Sequence, residues 1–199
     1  MIRVSDEAFS YLVHQRGALW NLRDDRGAWE TAYASDLGDT FQRIKRYLPE
    51  VEQPFILDVG SGMGGIAALL KSRYPDAQFC LMDALDRGAA MVRHGEPYGS
   101  TMAAMRFLAD NGVTDTRALT EPPGVPVANL VLSFQAWGFH FPPAQYLDAV
   151  RASLAPGAKL ILDVRRTHTD WRLDFVGAFG RWKVIARLPK SDLLYFEAP

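Results

Sequence analysis

A chain of 199 residues is long enough for one α/β domain with a sizeable core, and 48% apolar residues is ordinary for a globular protein. The 22 Lys and Arg against 23 Asp and Glu leave a net charge of −1, which provides no strong field for nucleic acid or anionic membrane. The single cysteine excludes an intrachain disulfide, no apolar stretch reaches membrane-spanning length, and Arg3, Asp6 and Glu7 interrupt any apolar leader, so a soluble cytoplasmic protein is expected.

Residues 1–50 read as a helical extension. Phe9, Leu12, Val13 and Arg16 fall at helical spacing, as do Leu37, Phe41, Ile44 and Leu48, and Pro49 stops the second helix. Between them, Trp20 to Trp29 is mixed in charge and rich in tryptophan. This extension either covers an edge of a sheet or closes as a lid over a site. Trp20, Trp29 and Tyr33 are then core residues or walls of a substrate pocket.

Residues 51–199 read as one domain. Phe55–Val59 is an apolar strand, followed by a turn with Gly60, Gly62, Gly64 and Gly65 and by a helix carrying Ile66, Leu69, Leu70 and Tyr74 up to Pro75. Glycines so placed bring the backbone close to a ligand. Gly60, Gly62 and Gly65 satisfy the dinucleotide pattern G-x-G-x-x-G, a weak signal alone. Asp58 with Gly60, Gly62 and Gly64 satisfies another: an acid, then glycines two, four and six positions later. A carboxylate there repels a pyrophosphate and suits a ligand with an ammonium group.

Phe79–Met82 is the second strand, with Cys80 as a core thiol, and Asp83 at its tip is placed to accept hydrogen bonds from ribose hydroxyls. A helix is expected around Asp86–Arg93 and a loop over His94–Gly99. Thr101–Ala109 reads as a helix with Met102, Met105 and Leu108 on one face, closed by Asn111-Gly112. Thr114–Leu119 is a weak third strand and Ala128–Phe134 a fourth. A helix with Tyr146, Leu147, Val150 and Leu154 follows, and Ala155-Pro156-Gly157 turns into a fifth strand, Lys159–Val164. A helix around Asp170–Phe179 and the pair Trp182–Leu188 and Asp192–Glu197, joined by Pro189-Lys190, complete the chain.

The acid-glycine turn, the segment Leu154-Ala155-Pro156-Gly157 and the terminal hairpin together resemble the Rossmann-like (class I) S-adenosylmethionine-dependent methyltransferases over residues 50–199. The resemblance implies an α/β fold of three layers: a doubly wound, seven-stranded sheet, mostly parallel, with a terminal antiparallel hairpin, plus the N-terminal helical extension. It implies S-adenosylmethionine as cofactor and S-adenosylhomocysteine as product. The cofactor residues would be Asp58, Gly60, Ser61, Gly62, Met63, Gly64, Asp83, Ala84, Leu119 and Phe134. No clear adenine contact follows the third strand; Leu119-Thr120 is the nearest match.

The resemblance puts the acceptor after the fourth strand, against Gln135, Trp137 and Phe139. Ser133-Phe134-Gln135-Ala136 lacks the Asp/Asn-Pro-Pro-aromatic motif of base amino methyltransferases, and the only cysteine lies elsewhere, on the second strand. No metal-ligand cluster is visible, and Asp163 alone does not make one. A small-molecule acceptor remains, with oxygen methylation of a sugar or other hydroxylated metabolite as the leading expectation. His140, and after it His168, are candidate general bases, since histidine is matched to proton removal near neutral pH. Arg165 and Arg166, following the fifth strand, are placed to hold an anionic substrate group, or are solvated charges. The alternatives are a nicotinamide-dependent oxidoreductase, against which Asp58 argues, and a methyltransferase-like binding module without catalysis.

Overall fold

The parallel strands are short runs punctuated by Gly and Pro; the central ones are apolar and buried on both faces, as a parallel sheet requires, and the edge strand over 116–119 is half exposed. In the computed structural model, which describes residues 2–83, 92–93, 96–97, 100–167 and 169–199, these are β1 (Phe55–Val59), β2 (Gln78–Met82), β5 (Thr116–Leu119), β6 (Ala128–Ser133) and β7 (Leu154–Arg165). β8 (Arg181–Arg187) and β9 (Ser191–Glu197) follow. The seven-stranded sheet runs β5-β2-β1-β6-β7-β9-β8. β5, β2, β1, β6 and β7 are parallel, while β9 runs antiparallel to both β7 and β8. Two short strands, β3 (Val92–Arg93) and β4 (Glu96–Pro97), pair separately. The strand order reverses between β1 and β6, and a ligand crevice opens at such a switch point, outside the carboxyl ends of the strands.

Alternation along the strands divides the core in two. Ile56, Phe79, Leu81, Leu130, Leu132 and Ile161 face one layer; Leu57, Val59, Val131, Leu160, Leu162 and Phe196 face the other. The first layer contains α1 (Asp6–Gln15), α2 (Arg26–Ile44), α3 (Gly65–Leu70) and α4 (Thr101–Asp110). The second contains α5 (Leu147–Ser153) and α6 (Thr169–Phe179). Ser5 and Asp25 cap α1 and α2 by accepting from the peptide N–H groups of Ala8 and Ala28. Cys80 is buried as expected, and burial pushes its thiol up to about 11. No helix among the described residues is long and apolar enough to cross a membrane.

Several expected boundaries move. α2 begins at Arg26, so Trp29 lies inside a helix, and Gly17–Leu22 forms a 3-10 turn rather than an open linker. α3 stops at Leu70; Tyr74 instead turns inward, and its hydroxyl donates to the Pro49 carbonyl. Met102 is largely exposed, and α4 buries Ala103, Ala104, Phe107 and Leu108 instead. Leu154 opens β7 instead of closing a helix. Ala128 faces Leu154 and Leu130 faces Lys159, so Ala155–Ala158 bulge out around left-handed Gly157 (φ +71°). Val92–Arg93 is a strand, not a helix end, and Glu96–Pro97 is its partner rather than loop. The rest of the helix expected from Asp86, together with Ala84 and His168, lies outside the described residues.

Candidate functional site

The glycine turn is built from three left-handed residues: Gly60 (φ +73°), Gly62 (φ +53°) and Gly64 (φ +70°). Only glycine takes these dihedrals without strain. Space adds a second reason at Gly60, where a Cβ would lie 2.2 Å from that of Ala136. The peptide N–H groups of Gly60 and Ser61 donate to the Met82 carbonyl at 2.6 and 3.1 Å, stitching the turn to the tip of β2. The Gly62 N–H donates to the Asp83 carboxylate at 3.1 Å. Asp83 is thus aimed across the mouth of the turn by a backbone bond.

Asp58 lies beneath the turn and is 4% exposed. Burial, reinforced by the charge of Asp83, raises its carboxyl to about 7. Two carboxylates therefore share one concave end of the sheet, an arrangement that repels phosphate and is relieved by a cation.

The segment after β6 is a second rigid piece. The Ser133 hydroxyl donates to the Val59 carbonyl at 2.8 Å and accepts from the Trp137 N–H at 2.9 Å, tying β6 to β1. The Ala136 carbonyl then gathers the N–H groups of Phe139, His140 and Phe141 at 3.0, 2.7 and 3.1 Å. Arg165 N–H donates to the Gly138 carbonyl at 2.9 Å, pinning the loop to β7. Gln135 stands at the apex, exposed, with φ +54°, the one non-glycine residue with positive φ among those described. Strain of this kind gathers at ligand sites. Its backbone bonds to Asp163, 2% exposed, whose carboxyl burial raises to about 6.

Among the described residues, no three His, Cys, Asp or Glu side chains gather as metal ligands. No family model matches the chain, and no curated protein matches it. Solved structures do. The T. thermophilus 16S rRNA N2 G1207 methyltransferase, in complex with AdoMet and guanosine, superposes with a TM-score of 0.59 at 16% identity, over 80% of this chain but 42% of its own. Precorrin-6y C5,15-methyltransferase from Geobacter metallireducens gives 0.57 at 10% identity, over 81% and 86% of the two chains. A SAM-dependent methyltransferase from Aquifex aeolicus gives 0.57 at 15%, over 78% and 87%. The chain has the Rossmann-like methyltransferase fold. At these identities the likeness is one of fold, and the chain spans less than half of the first of these structures.

The methyltransferase fold brings Asp58, Gly60, Ser61, Gly62, Gly64 and Asp83 together at the tips of β1 and β2, and the register puts Leu119 beside Met82 there. Phe134 is half-buried just past β6 and packs against the first-layer core. Met63 is 1% exposed, so its side chain is core and only its backbone belongs to the turn. On the acceptor side, Phe139, His140 and Arg165 form one cluster. The His140 ring meets the edge of Phe139 at 4.8 Å between centroids, and the Arg165 guanidinium lies 5.0 Å from the Phe139 ring centre.

Two candidates are corrected. Trp137 is fully buried between Phe175 and Phe179, with its indole N–H on the Pro143 carbonyl at 3.0 Å, so it is a core post. Arg166 grips the terminal hairpin through the Ser191 and Pro189 carbonyls and Asp192, at 2.9, 2.6 and 3.2 Å, and is a hairpin clasp rather than a substrate grip.

The structure also adds Gln15, which periodicity alone does not single out: its carboxamide hangs over Gly62, 2.9 Å from where a Cβ would stand. Tyr33, expected as core or as a pocket wall, is 1% exposed, with its hydroxyl 2.2 Å from the equivalent point on Gly65. Both come from the N-terminal extension. Ser133 did carry a signal: a lone hydroxyl ending the apolar run 130–132.

Proposed function

We propose that this chain is a methyltransferase that binds S-adenosylmethionine at the glycine turn and transfers its methyl group to a small polar acceptor, with a hydroxyl as the leading candidate. The carrying observation is the charge of the turn. Asp58 and Asp83 meet at the tips of β1 and β2, with burial and mutual repulsion raising Asp58. A dinucleotide would bring a pyrophosphate to this place. S-adenosylmethionine brings an ammonium and a sulfonium, and ribose hydroxyls for Asp83. Its methyl group is electrophilic, so the protein's work is orientation and, for a hydroxyl acceptor, removal of a proton.

The residues present fit that ligand. Gly60, Gly62 and Gly64 keep the turn free of side chains, Asp58 answers the ammonium, and Asp83 accepts from the ribose. Gln15 lies over Gly62, which supports a roof made by the N-terminal extension. On the acceptor side Gln135 and Phe139 form the wall, and Arg165, stacked on Phe139, holds an anionic or hydroxylated group. His140, exposed beside them, takes the acceptor proton.

Calorimetric titration with S-adenosylmethionine, S-adenosylhomocysteine and NAD tests the reading. Binding of the first two and not the third is expected. Binding of NAD alone would assign the turn to a nicotinamide enzyme, and absence of all three would favour a non-catalytic module. Acceptor screening then uses loss of methyl transfer in His140→Ala as its check on the base.

A further inference from the structure

Toward the β8 edge of the sheet, a cleft of about 490 Å³ is lined by Arg46, Tyr47, Leu48, Lys159, Lys183 and Tyr195. It lies where the 3-10 turn after α2 (Lys45–Tyr47) passes over β7, β8 and β9. Asp58 aligns across the sheet through Leu132 and Ile161 with Tyr195 and Lys183, so the cleft lies three to four strands from β1, ~14–19 Å from the strand that carries the proposed donor site. It belongs to neither the donor nor the acceptor region.

The cations are held, not merely crowded. The Tyr47 and Tyr195 rings lie 5.3 Å apart, and the Lys183 ammonium sits 4.6 Å from the centre of one and 5.0 Å from the other. Arg46 lies over Tyr47 at 4.9 Å. Aromatic faces fix a cation in place without neutralising it. Lys159 is different: Glu197 accepts from it at 2.6 Å and cancels its charge. Among the described residues, no carboxylate forms an ion pair with Arg46 or Lys183. A chain of net charge −1 thus concentrates two uncompensated cations in one concavity.

We propose that this cleft is a second binding site, for the oligophosphate group of a nucleotide-sized metabolite. Linked phosphoryl groups present several charges over a few ångströms, which matches a guanidinium and an ammonium held on adjoining rings. The volume is that of a small-molecule site, and six residues line it rather than an extended basic track. That favours a compact anion over a nucleic-acid strand.

The test uses the full chain and inorganic tripolyphosphate, titrated calorimetrically at constant ionic strength with sulfate as control. One site per chain is expected, weakened at least tenfold in the double variant Arg46→Gln/Lys183→Gln. Arg46→Lys, which keeps the charge, should lose less than threefold. Binding of S-adenosylmethionine to the same variants is measured in parallel and should be unchanged, which separates loss of this site from misfolding and from failure of the methyl-donor reading. No tripolyphosphate binding, or binding indifferent to the double variant, would overturn the proposal. So would a single-stranded RNA oligomer that binds through these residues far more tightly than tripolyphosphate.

Discussion

Asp58 carries the most chemistry of any single residue. Its carboxyl is raised to about 7 by burial and by Asp83. In the ligand-free protein this group favours folding below its unfolded value near 4, and the contribution is lost as pH rises through 7. That rise of the carboxyl corresponds to on the order of 4 kcal/mol. A bound ammonium reverses the preference by favouring the carboxylate. Affinity for S-adenosylmethionine should therefore rise as pH rises through 7, and Asp58→Asn should flatten that profile; calorimetry at pH 6 and 8 distinguishes the two. Gln135 provides a second test. Its left-handed backbone stores strain, so Gln135→Gly should raise stability by about 0.5–1 kcal/mol in denaturant titration while slowing methyl transfer. A decrease in stability would mean that its side chain contributes more than the strain costs.

The elements decide what the N-terminal extension is. α2 packs directly on the glycine-turn helix, with the Tyr33 hydroxyl where a Gly65 Cβ would stand. Gly65→Ala should destabilise the chain, and Tyr33→Phe should recover part of the loss by vacating that space. A double-mutant cycle in thermal unfolding should give a coupling of about 1 kcal/mol or more. Additivity would mean that the contact is absent in solution. α1 is fastened as well. Arg3 and Asn111 exchange two hydrogen bonds across to α4 at 2.8 and 2.9 Å, and Glu7 accepts from Arg106 at 2.6 Å. Trimming Gln15 to Ala leaves these fastenings intact, so it should change ligand affinity and leave the melting temperature nearly unmoved.

For the whole molecule, the extension and the sheet share one core. Trp29 is fully buried, stacked on Tyr33 at 5.1 Å and edge-on to Phe9 at 5.1 Å. Tyr33 and Leu37 also pack against Gly65 of the glycine turn, and a hinged lid would give up that contact each time it opened. Trp29→Ala should cost about 3–5 kcal/mol and remain a single cooperative transition. A separate early transition would mean that residues 1–50 unfold on their own.

The central parallel strands were legible in the sequence because each is a short apolar run between breakers, whereas β5, Thr116–Leu119, is an edge strand with Arg117 exposed and was only weakly legible. The acid-glycine turn was legible because left-handed backbone leaves glycine few substitutes. Helix ends were less so. Tyr74 has helical spacing, yet its hydroxyl is drawn to Pro49, a partner 25 residues away in sequence. Met102 fits the apolar stripe of α4, but the face that turns inward is set by α1 and α3. Trp137 and Arg166 sit one or two residues from acceptor-side neighbours, and local sequence does not say which way each points. Packing against Phe175 and the carbonyls of the terminal hairpin settles that. The sequence by itself determined the layered sheet and a cradle whose charge rejects phosphate, because these follow from periodicity, glycine dihedrals and a carboxylate at a strand tip. Only the tertiary structure decided that Gln15 stands against Gly62 and that Arg46 and Lys183 meet in one cleft, since those contacts join segments far apart in the chain.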